Sequence, residues 1–259
     1  MVLNNYLAAL LFVYDVLEVY FCKHLNNFKK MSGFFKSSIG RKVAMSLSAF
    51  FLMIFLLIHV SVNLLSVFSV ETFNIASHFM GTNLLVQFFM QPILIFGVVF
   101  HFVMGFVLEV KNKKALGVPY VRNNGAANST WASRNMIYSG LVILAFLVLH
   151  FIDFWIPELN TKYVLGDMSG MQNGEFRYFA ELHHKFESPL RVGAYVVAFV
   201  LLGLHLAHGF TSAFQSMGIT VAMGITVGKK KALKSIGKAY AIIIPAVFIF
   251  IALYHHFNH

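Results

Sequence analysis

The stretch LLIHVSVNLL, residues 56–65, has the composition of a lipid-facing helix and yet contains a histidine, His59. It belongs to one of five apolar runs that are long enough to cross a bilayer, which takes about 20 residues. Because lipid satisfies no backbone hydrogen bonds, such runs must form helices or a closed barrel. They are about twice the length of a barrel strand and do not alternate, which predicts helices. We place the five spans at Val43–Phe68, Leu84–Val110, Met136–Ile156, Leu190–Phe214 and Ala239–Phe257.

The composition and the distribution of charge also indicate a membrane protein. Of the 259 residues, 58% are hydrophobic and only 12% are charged, whereas a soluble domain has about 25% charged residues. Lys and Arg are concentrated before the first span and in the second and fourth loops, and the first loop has none. Since positive residues stay in the cytoplasm, we predict a cytoplasmic amino terminus and an outer carboxyl terminus. The net charge of +10 then reflects topology, and no base-stacking motif suggests binding to nucleic acid.

The residues before the first span are predicted to form a separate extension, 1–38, ahead of a five-span domain, 39–259. The apolar run Tyr6–Cys22 is shorter than a span and contains Asp15 and Glu18, which favours an interfacial helix over a weak sixth span. Cys22 is the only cysteine, so a disulfide framework and a CxxC pair are excluded. No internal repeat is evident, and the long third loop, 157–189, is expected to be ordered on the outer face.

Four histidines lie well inside the predicted spans: His59, His101, His150 and His205. Ionisable residues within membrane helices are costly and are functional candidates by default. At a rise of 1.5 Å per residue, His59 and His150 lie about 24 Å and 21 Å from the inner ends of their spans, and His101 and His205 about 14 Å. The spans therefore predict two histidine pairs at two levels, about 8 Å apart. His208 follows one turn after His205, and the remaining histidines, among them His183 and His255, are predicted to be solvated.

Two facing imidazoles at one depth are what a six-coordinate haem requires, because the porphyrin fills the other four iron positions. Two levels therefore predict two haems in the core of a helix bundle, stacked along the membrane normal. Gly97 and Gly105 lie four residues before and after His101, and Gly209 lies four after His205. Small residues on the histidine face would let a flat macrocycle approach, although they are equally suited to ordinary helix packing.

Other interpretations of these histidines are open at this point. Each one alone could be a neutral histidine that hydrogen-bonds across a helix interface, and His208 is a rival to His205 as a ligand. Zinc or copper would need three or more histidines at one site. A transporter or proton channel could use the histidines as relays, but the spans show no broken-helix pairs and no inverted repeat.

Four segments of the chain resemble the cytochrome b membrane anchor of succinate:quinone oxidoreductases, in its single-subunit, five-helix, two-haem form. They are LIHVSVNLLSVFSVETFNIASHFM (57–80), FHFVMGFVLEVKNKKALGVPY (100–120), HFIDFW (150–155) and SPLRVGAYVVAFVLLGLHLAHGFTSAFQSMGIT (188–220). Together they cover most of the chain from about residue 40 onward. The resemblance implies that His59 and His150 bind the outer haem and His101 and His205 the inner haem, which agrees with the depths. It also selects His205 over His208.

The same resemblance implies the partners and the location. A flavoprotein subunit oxidises succinate or reduces fumarate, and an iron–sulfur subunit carries electrons to the membrane. Both would dock on the cytoplasmic face of a bacterial inner membrane, where Lys111–Lys114 and Lys229–Lys238 are candidate surfaces. This chain itself would do no succinate chemistry. A stand-alone two-haem oxidoreductase, such as a transmembrane ascorbate or ferric reductase, is the alternative.

The resemblance further implies electron exchange with quinone, often menaquinone, near the outer haem. We expect quinone contacts from polar residues near the outer ends of the first and third spans and in the first loop. These residues are Asn63, Glu71, His78 and Asp153. Asp153 could instead be a helix-end carboxylate that faces water.

Overall fold

The structure is a computed structural model, and it describes residues 37–115, 135–217 and 227–258. The predicted extension, 1–38, lies almost wholly outside the described residues, as does the apolar run Tyr6–Cys22. The chain divides into two compact units, Met1–Ala44 and Met45–His259, and the sites of interest belong to the second.

The described part of the chain is mostly helical and contains five helices that are long and apolar enough to cross a membrane, as predicted. Their large apolar side chains are widely exposed: Ile54 by 62%, Phe96 by 68% and Leu190 by 85%. Exposed apolar surface on this scale is typical of helices that face lipid. The spanning helices are Ser38–Phe68, Val86–Lys114, Met136–Val164, Pro189–Ser216 and Lys231–Phe257.

These spans contain regular α-helix and three wider π-helical turns, and shorter elements connect them. The α-helices are α1 (Ser38–Phe68), α2 (Val70–Thr82), α3 (Gln91–Ala115), α4 (Met136–His150), α5 (Ile156–Leu159), α6 (Tyr178–Phe186), α7 (Pro189–Ser216) and α8 (Val227–Phe257). The π-helical turns are Val86–Met90, Phe151–Trp155 and Asn160–Val164, and the strands are β1 (Met171–Gln172) and β2 (Glu175–Phe176). The third span therefore runs through α4, α5 and two π-helical turns, well past the predicted end at Ile156.

Helices α2 and α6 and the β1–β2 hairpin lie at the end of the bundle where the first, third and fifth spans finish, which we call the capped end. Helix α2 falls in the predicted first loop. Ser69 begins it, since the Ser69 side chain accepts a hydrogen bond from the Thr72 backbone N–H at 3.2 Å. The two strands pair antiparallel. Their connection, Asn173-Gly174, has φ angles of 53° and 89°, as a two-residue hairpin turn requires.

A buried ion network holds the capped end to the third span. The Glu158 carboxylate accepts from the Arg177 guanidinium on one oxygen and from the Lys162 ammonium at 2.5 Å on the other. Arg177 also donates to Glu181 at 2.6 Å, and Lys162 donates to the Gly81 carbonyl. Burial alone would lower the pKa of Arg177, but the hydrogen bonds to Glu181 and Glu158 outweigh it and raise that pKa. Both cations are thus buried with their charges compensated.

Helix α7 lies at the centre of the apolar core, packed against both α4 and α8. Near the capped end, Phe199 stacks on Phe248 with ring centroids 5.1 Å apart. Towards the other end, which we call the basic end, Phe210 packs against Tyr240. Helix α8 also contacts the first span, because the Tyr240 hydroxyl donates to the Met53 carbonyl at 2.6 Å.

Candidate functional site

The structure brings the four intramembrane histidines together as two pairs. His59 of α1 and His150 of α4 form the capped-end pair, with ring centroids 5.8 Å apart and ring planes at 85°. His101 of α3 and His205 of α7 form the basic-end pair, with centroids 6.4 Å apart and planes at 66°. Each pair joins two different spanning helices, in the combination that the sequence depths predict.

The separation of the rings fits one metal ion between the two imidazoles of each pair. An imidazole nitrogen binds a first-row metal at about 2 Å, so two ligands on opposite sides of the ion have ring centres about 6 Å apart. The observed separations are 5.8 Å and 6.4 Å. Within the described residues, no three His, Cys, Asp or Glu side chains are grouped as they would be around one metal ion. Two imidazoles at each level match the number of protein ligands that a six-coordinate haem iron takes.

The contacts place the two pairs further apart than the sequence depths suggest. Ser48 of α1 contacts the His101 ring at 3.0 Å, which fixes the level of the basic-end pair on that helix. His59 follows Ser48 by 11 residues, a rise of about 16 Å. The earlier spacing of about 8 Å was measured from the predicted helix ends. The first span begins at Ser38, five residues before the predicted Val43, so a depth measured from Val43 underestimates how far His59 lies along its helix.

In the basic-end pair, serine hydroxyls hold the rings through their Nδ1 atoms. The Ser48 hydroxyl lies 3.0 Å from His101 Nδ1 and donates its hydrogen to the Met45 carbonyl at 2.8 Å. Because that hydrogen is already used, the serine oxygen must accept from His101 Nδ1–H. Nε2 of the same ring is then the unprotonated nitrogen, which is the form that binds a metal.

The same arrangement recurs at the other histidine of this pair. The Ser139 hydroxyl donates to the Met136 carbonyl at 2.9 Å and lies 3.2 Å from His205 Nδ1. It too must accept from the ring N–H, so Nε2 of His205 is free. His205, rather than the rival His208, therefore faces both His101 and the serine.

The capped-end pair has aromatic neighbours in place of hydroxyl partners. Phe55 stacks on His59 at 5.2 Å and Phe146 on His150 at 5.8 Å, each from one turn earlier on the same helix. His150 Nδ1 is buried without a hydrogen-bond partner among the described residues. Asn63 Nδ2 lies 3.5 Å from His59 Nδ1, but its short bond, 2.8 Å, is to the His59 carbonyl. This pair is thus held mainly by packing.

The positions that form these contacts recur along the chain as an internal repeat, which the sequence analysis missed. The motif M-x2-S-x6-F-x3-H occurs at 45–59 in the first span and at 136–150 in the third. The motif H-x3-G occurs in the second span at 101–105 and in the fourth at 205–209. Each histidine pair therefore consists of equivalent positions in two copies of a helix pair. Few residues within each motif are shared, so the repeat is recognisable only once the contacts show which positions matter.

The glycines of the predicted haem faces lie next to large side chains of neighbouring helices. A Cβ at Gly105 would lie 3.6 Å from the Met45 methyl, and one at Gly209 would lie 3.8 Å from the Met136 methyl. These contacts are again equivalent in the two copies. Gly97 differs, since a Cβ there would lie 2.9 Å from Phe51. A further glycine, Gly140, lies against the His205 ring, with 3.7 Å from its Cβ position to Cε1.

Asp153 lies inside the bundle and not at a helix end facing water. The third span continues beyond it, and its side chain is only 1% exposed. Tyr195 of α7 donates its hydroxyl to Asp153 Oδ2 at 2.8 Å, and the Arg191 guanidinium approaches Oδ1 at 3.2 Å. The Tyr195 ring also packs against His150, with centroids 6.3 Å apart. A carboxylate, a phenol and a guanidinium therefore adjoin the capped-end pair, and neither Tyr195 nor Arg191 was expected from the sequence.

The remaining candidate quinone residues are not all gathered at this cluster. His78 lies on α2, where its Nδ1 is 3.2 Å from the Tyr178 hydroxyl and its ring packs on Phe176. Burial, followed by the nearby Glu158 charge, raises the pKa of Tyr178 to about 12, so this phenol stays protonated at neutral pH. Glu71 is exposed in the first turn of α2. Of the four candidates, Asn63 and Asp153 lie closest in sequence to the capped-end histidines.

His255 is buried, contrary to the sequence expectation, with 1% of its surface exposed. Its Nε2 lies 2.9 Å from the Ser66 hydroxyl, which donates to the Asn63 carbonyl at 2.6 Å. Its Nδ1 lies 3.3 Å from His183 Nδ1 on α6. The fifth span crosses the capped end beside α6, and that long-range packing is what removes His255 from water.

Comparison with protein-family models, with curated proteins and with solved structures finds no match to this chain.

Proposed function

We propose that the chain is a membrane anchor that binds two haems b and passes electrons between an iron–sulfur subunit and quinone. The complex would be a succinate dehydrogenase or fumarate reductase of a bacterial cytoplasmic membrane, whose flavoprotein subunit carries out the succinate chemistry. The quinone is menaquinone or a related compound. The observation that carries the proposal is the pairing of histidines from four helices at two levels, with ring separations of 5.8 Å and 6.4 Å.

In this proposal each histidine pair would hold one haem, and the haems would supply one-electron redox chemistry. The residues around them set the ligand orientation and the local polarity. Ser48 and Ser139 hold the basic-end rings in one tautomer, whereas Phe55 and Phe146 hold the capped-end rings by stacking. The two haems would therefore differ in the polarity and hydrogen bonding around their histidines.

The Asp153 cluster supports a quinone site near the capped-end pair. Quinone reduction takes up protons, so the site needs titratable groups close to the redox centre. The Tyr195 hydroxyl donates a hydrogen bond to the Asp153 carboxylate, and the Tyr195 ring packs against His150. Arg191 is partly exposed, with 32% of its side chain accessible, so it links this buried cluster to the surface of the bundle.

The basic end is the face that we assign to the iron–sulfur and flavoprotein subunits. Lys111, Lys113 and Lys114 are exposed at the end of α3, and Lys231 and Lys234 are exposed near the start of α8. In a bacterial inner membrane this end lies in the cytoplasm, because clustered lysines are retained there. The basic-end pair is then the pair nearer to the iron–sulfur subunit.

The direct test is the haem content of the chain purified in detergent, measured as pyridine haemochrome against protein concentration. We expect two haems b for each chain, both reduced by dithionite. A folded chain that stays colourless after haem supplementation would refute the proposal.

A second measurement identifies the partners. The chain is purified under mild conditions from its native membrane, and succinate-dependent quinone reduction is assayed together with covalent or bound flavin. Recovery of flavin and iron–sulfur subunits supports the anchor role. A two-haem chain that purifies alone and is reduced directly by ascorbate would instead indicate the stand-alone oxidoreductase.

A further inference from the structure

One side-chain arrangement is repeated at the two histidines of the basic-end pair and at no capped-end ligand in the described part of the chain. A serine on the neighbouring helix donates its hydroxyl hydrogen to the carbonyl three residues earlier and turns its oxygen to histidine Nδ1. The serine–carbonyl distances are 2.8 Å and 2.9 Å, and the serine–Nδ1 distances are 3.0 Å and 3.2 Å. Ser48 and Ser139 occupy the same position in the two copies of the repeated motif.

The direction of these hydrogen bonds has a chemical consequence. A hydroxyl whose hydrogen is engaged can only accept from the ring, so the proton of each imidazole stays on Nδ1. A ring that donates from Nδ1 becomes a more basic ligand through Nε2. More basic ligands favour ferric over ferrous iron, because they donate more electron density to the metal.

We propose that Ser48 and Ser139 are equivalent positioning residues, which together fix the Nε2 atoms of His101 and His205 on one haem and lower its midpoint potential. This inference rests on the proposed function, since it assumes that the pair binds haem. Two serines on different helices thus tune the same haem and leave the other haem unchanged.

Two other serines of α1 serve as matched controls. Ser66 makes the same carbonyl bond, to Asn63 at 2.6 Å, but its histidine partner is His255, which is in neither pair. Ser61 donates to the Leu57 carbonyl at 2.8 Å and is exposed. Loss of either hydroxyl removes a similar intrahelical bond, so it measures the general effect of a Ser→Ala change in this helix.

The experiment is a redox titration of the full haem-loaded chain, followed by absorbance, with haem content measured in parallel. Ser48→Ala and Ser139→Ala should each raise the midpoint potential of the same haem. We expect a change of up to about tenfold in the preference for ferric iron, which is about 59 mV for one electron. Ser66→Ala and Ser61→Ala should leave both potentials unchanged.

Threonine variants keep the test decisive if an alanine variant loses its haem. The Thr hydroxyl can make the same bond to the carbonyl one turn earlier, so Ser48→Thr and Ser139→Thr should retain two haems with near-native potentials. The inference is overturned if both alanine variants keep native potentials, if they shift different haems, or if threonine does not restore what alanine loses. A wild-type chain without haem would refute the proposed function itself, which is a different outcome.

Discussion

The two histidine pairs have similar ring separations, 5.8 Å and 6.4 Å, and different support. The basic-end rings are each held by a hydroxyl that accepts from Nδ1, whereas in the capped-end pair one ring stacks on Phe55 and the other on Phe146. His150 Nδ1 has no hydrogen-bond partner among the described residues. Two pairs of the same residue type therefore form different sites: hydrogen bonds orient the rings of one pair, whereas packing and a nearby carboxylate surround the other.

The largest expected effect comes from removing the ligands themselves. His101→Ala and His205→Ala should each leave one haem for each chain, and the haem that remains should be the same in both variants. His59→Ala and His150→Ala should remove the other haem. Pyridine haemochrome with redox titration measures the number and identifies the survivor. His208→Ala is the control and should keep both haems. If the two alanine variants of one pair lost different haems, the assignment of that pair to one haem would be wrong.

Next in size is the ion network that secures the capped end. Glu158→Ala leaves Lys162 and Arg177 buried without their shared carboxylate, and breaking a buried pair in this way costs about 3–5 kcal/mol. Thermal loss of haem absorbance in detergent should begin earlier for the capped-end haem than for the other, because the third span connects Glu158 to His150.

Glu175→Ala, at an exposed position in the hairpin, is the matched control and should change the midpoint of thermal loss little. Equal and simultaneous loss of both haems in Glu158→Ala would show that the two pairs share one cooperative unit.

A smaller difference is expected between two tyrosines, Tyr195, which packs against His150, and Tyr240, which lies between the fourth and first spans. Tyr195→Phe removes the donor to the Asp153 carboxylate, and Tyr240→Phe removes the donor to the Met53 carbonyl. Hydrogen bonds to charged groups contribute about 1.5–3 kcal/mol and neutral ones about 0.5–1.5 kcal/mol. Unfolding of detergent-solubilised protein by SDS should therefore show the greater loss of stability in Tyr195→Phe. The reverse order would mean that Asp153 does not depend on this phenol.

The smallest effect concerns the glycines of the second span. Gly97→Ala places a methyl 2.9 Å from Phe51, so the ring must move, whereas Gly105→Ala makes an ordinary 3.6 Å contact with Met45. Overpacking costs about 1–3 kcal/mol, part of which the better helix propensity of alanine offsets. We expect a net loss of about 1 kcal/mol for Gly97→Ala and none for Gly105→Ala in the same SDS assay. A haem spectrum altered only by Gly105→Ala would place the macrocycle against that glycine.

The five spans could be predicted from the sequence because they follow from the length and apolar composition of the runs. The closeness of His59 to His150 and of His101 to His205 could be predicted from their positions along the spans.

The predicted run Met136–Ile156 stops too early, since Pro157 and Glu158 look like a loop. The chain nevertheless stays helical there, where the Glu158 carboxylate pairs with the buried cations Lys162 and Arg177. Such compensation is long-range and leaves no local signal.

Two missed elements did leave local signals. Ser69 followed by Thr72 is a helix start, and Asn173-Gly174 is a hairpin turn. The site residues that the sequence could not supply are those from distant helices. Tyr195, which meets Asp153 across 42 positions of the chain, is one such residue.

The repeated motif has a consequence for how the sites come into being. Equivalent positions that touch across an interface are the mark of an isologous, twofold contact, and the histidine pairs relate the first two spans to the third and fourth in this way. Neither half contains both histidines of one level, because each contributes one imidazole to each pair. If the gene were divided between the second and third spans and both halves were produced together, haem absorbance in the membrane would show that the two halves had associated.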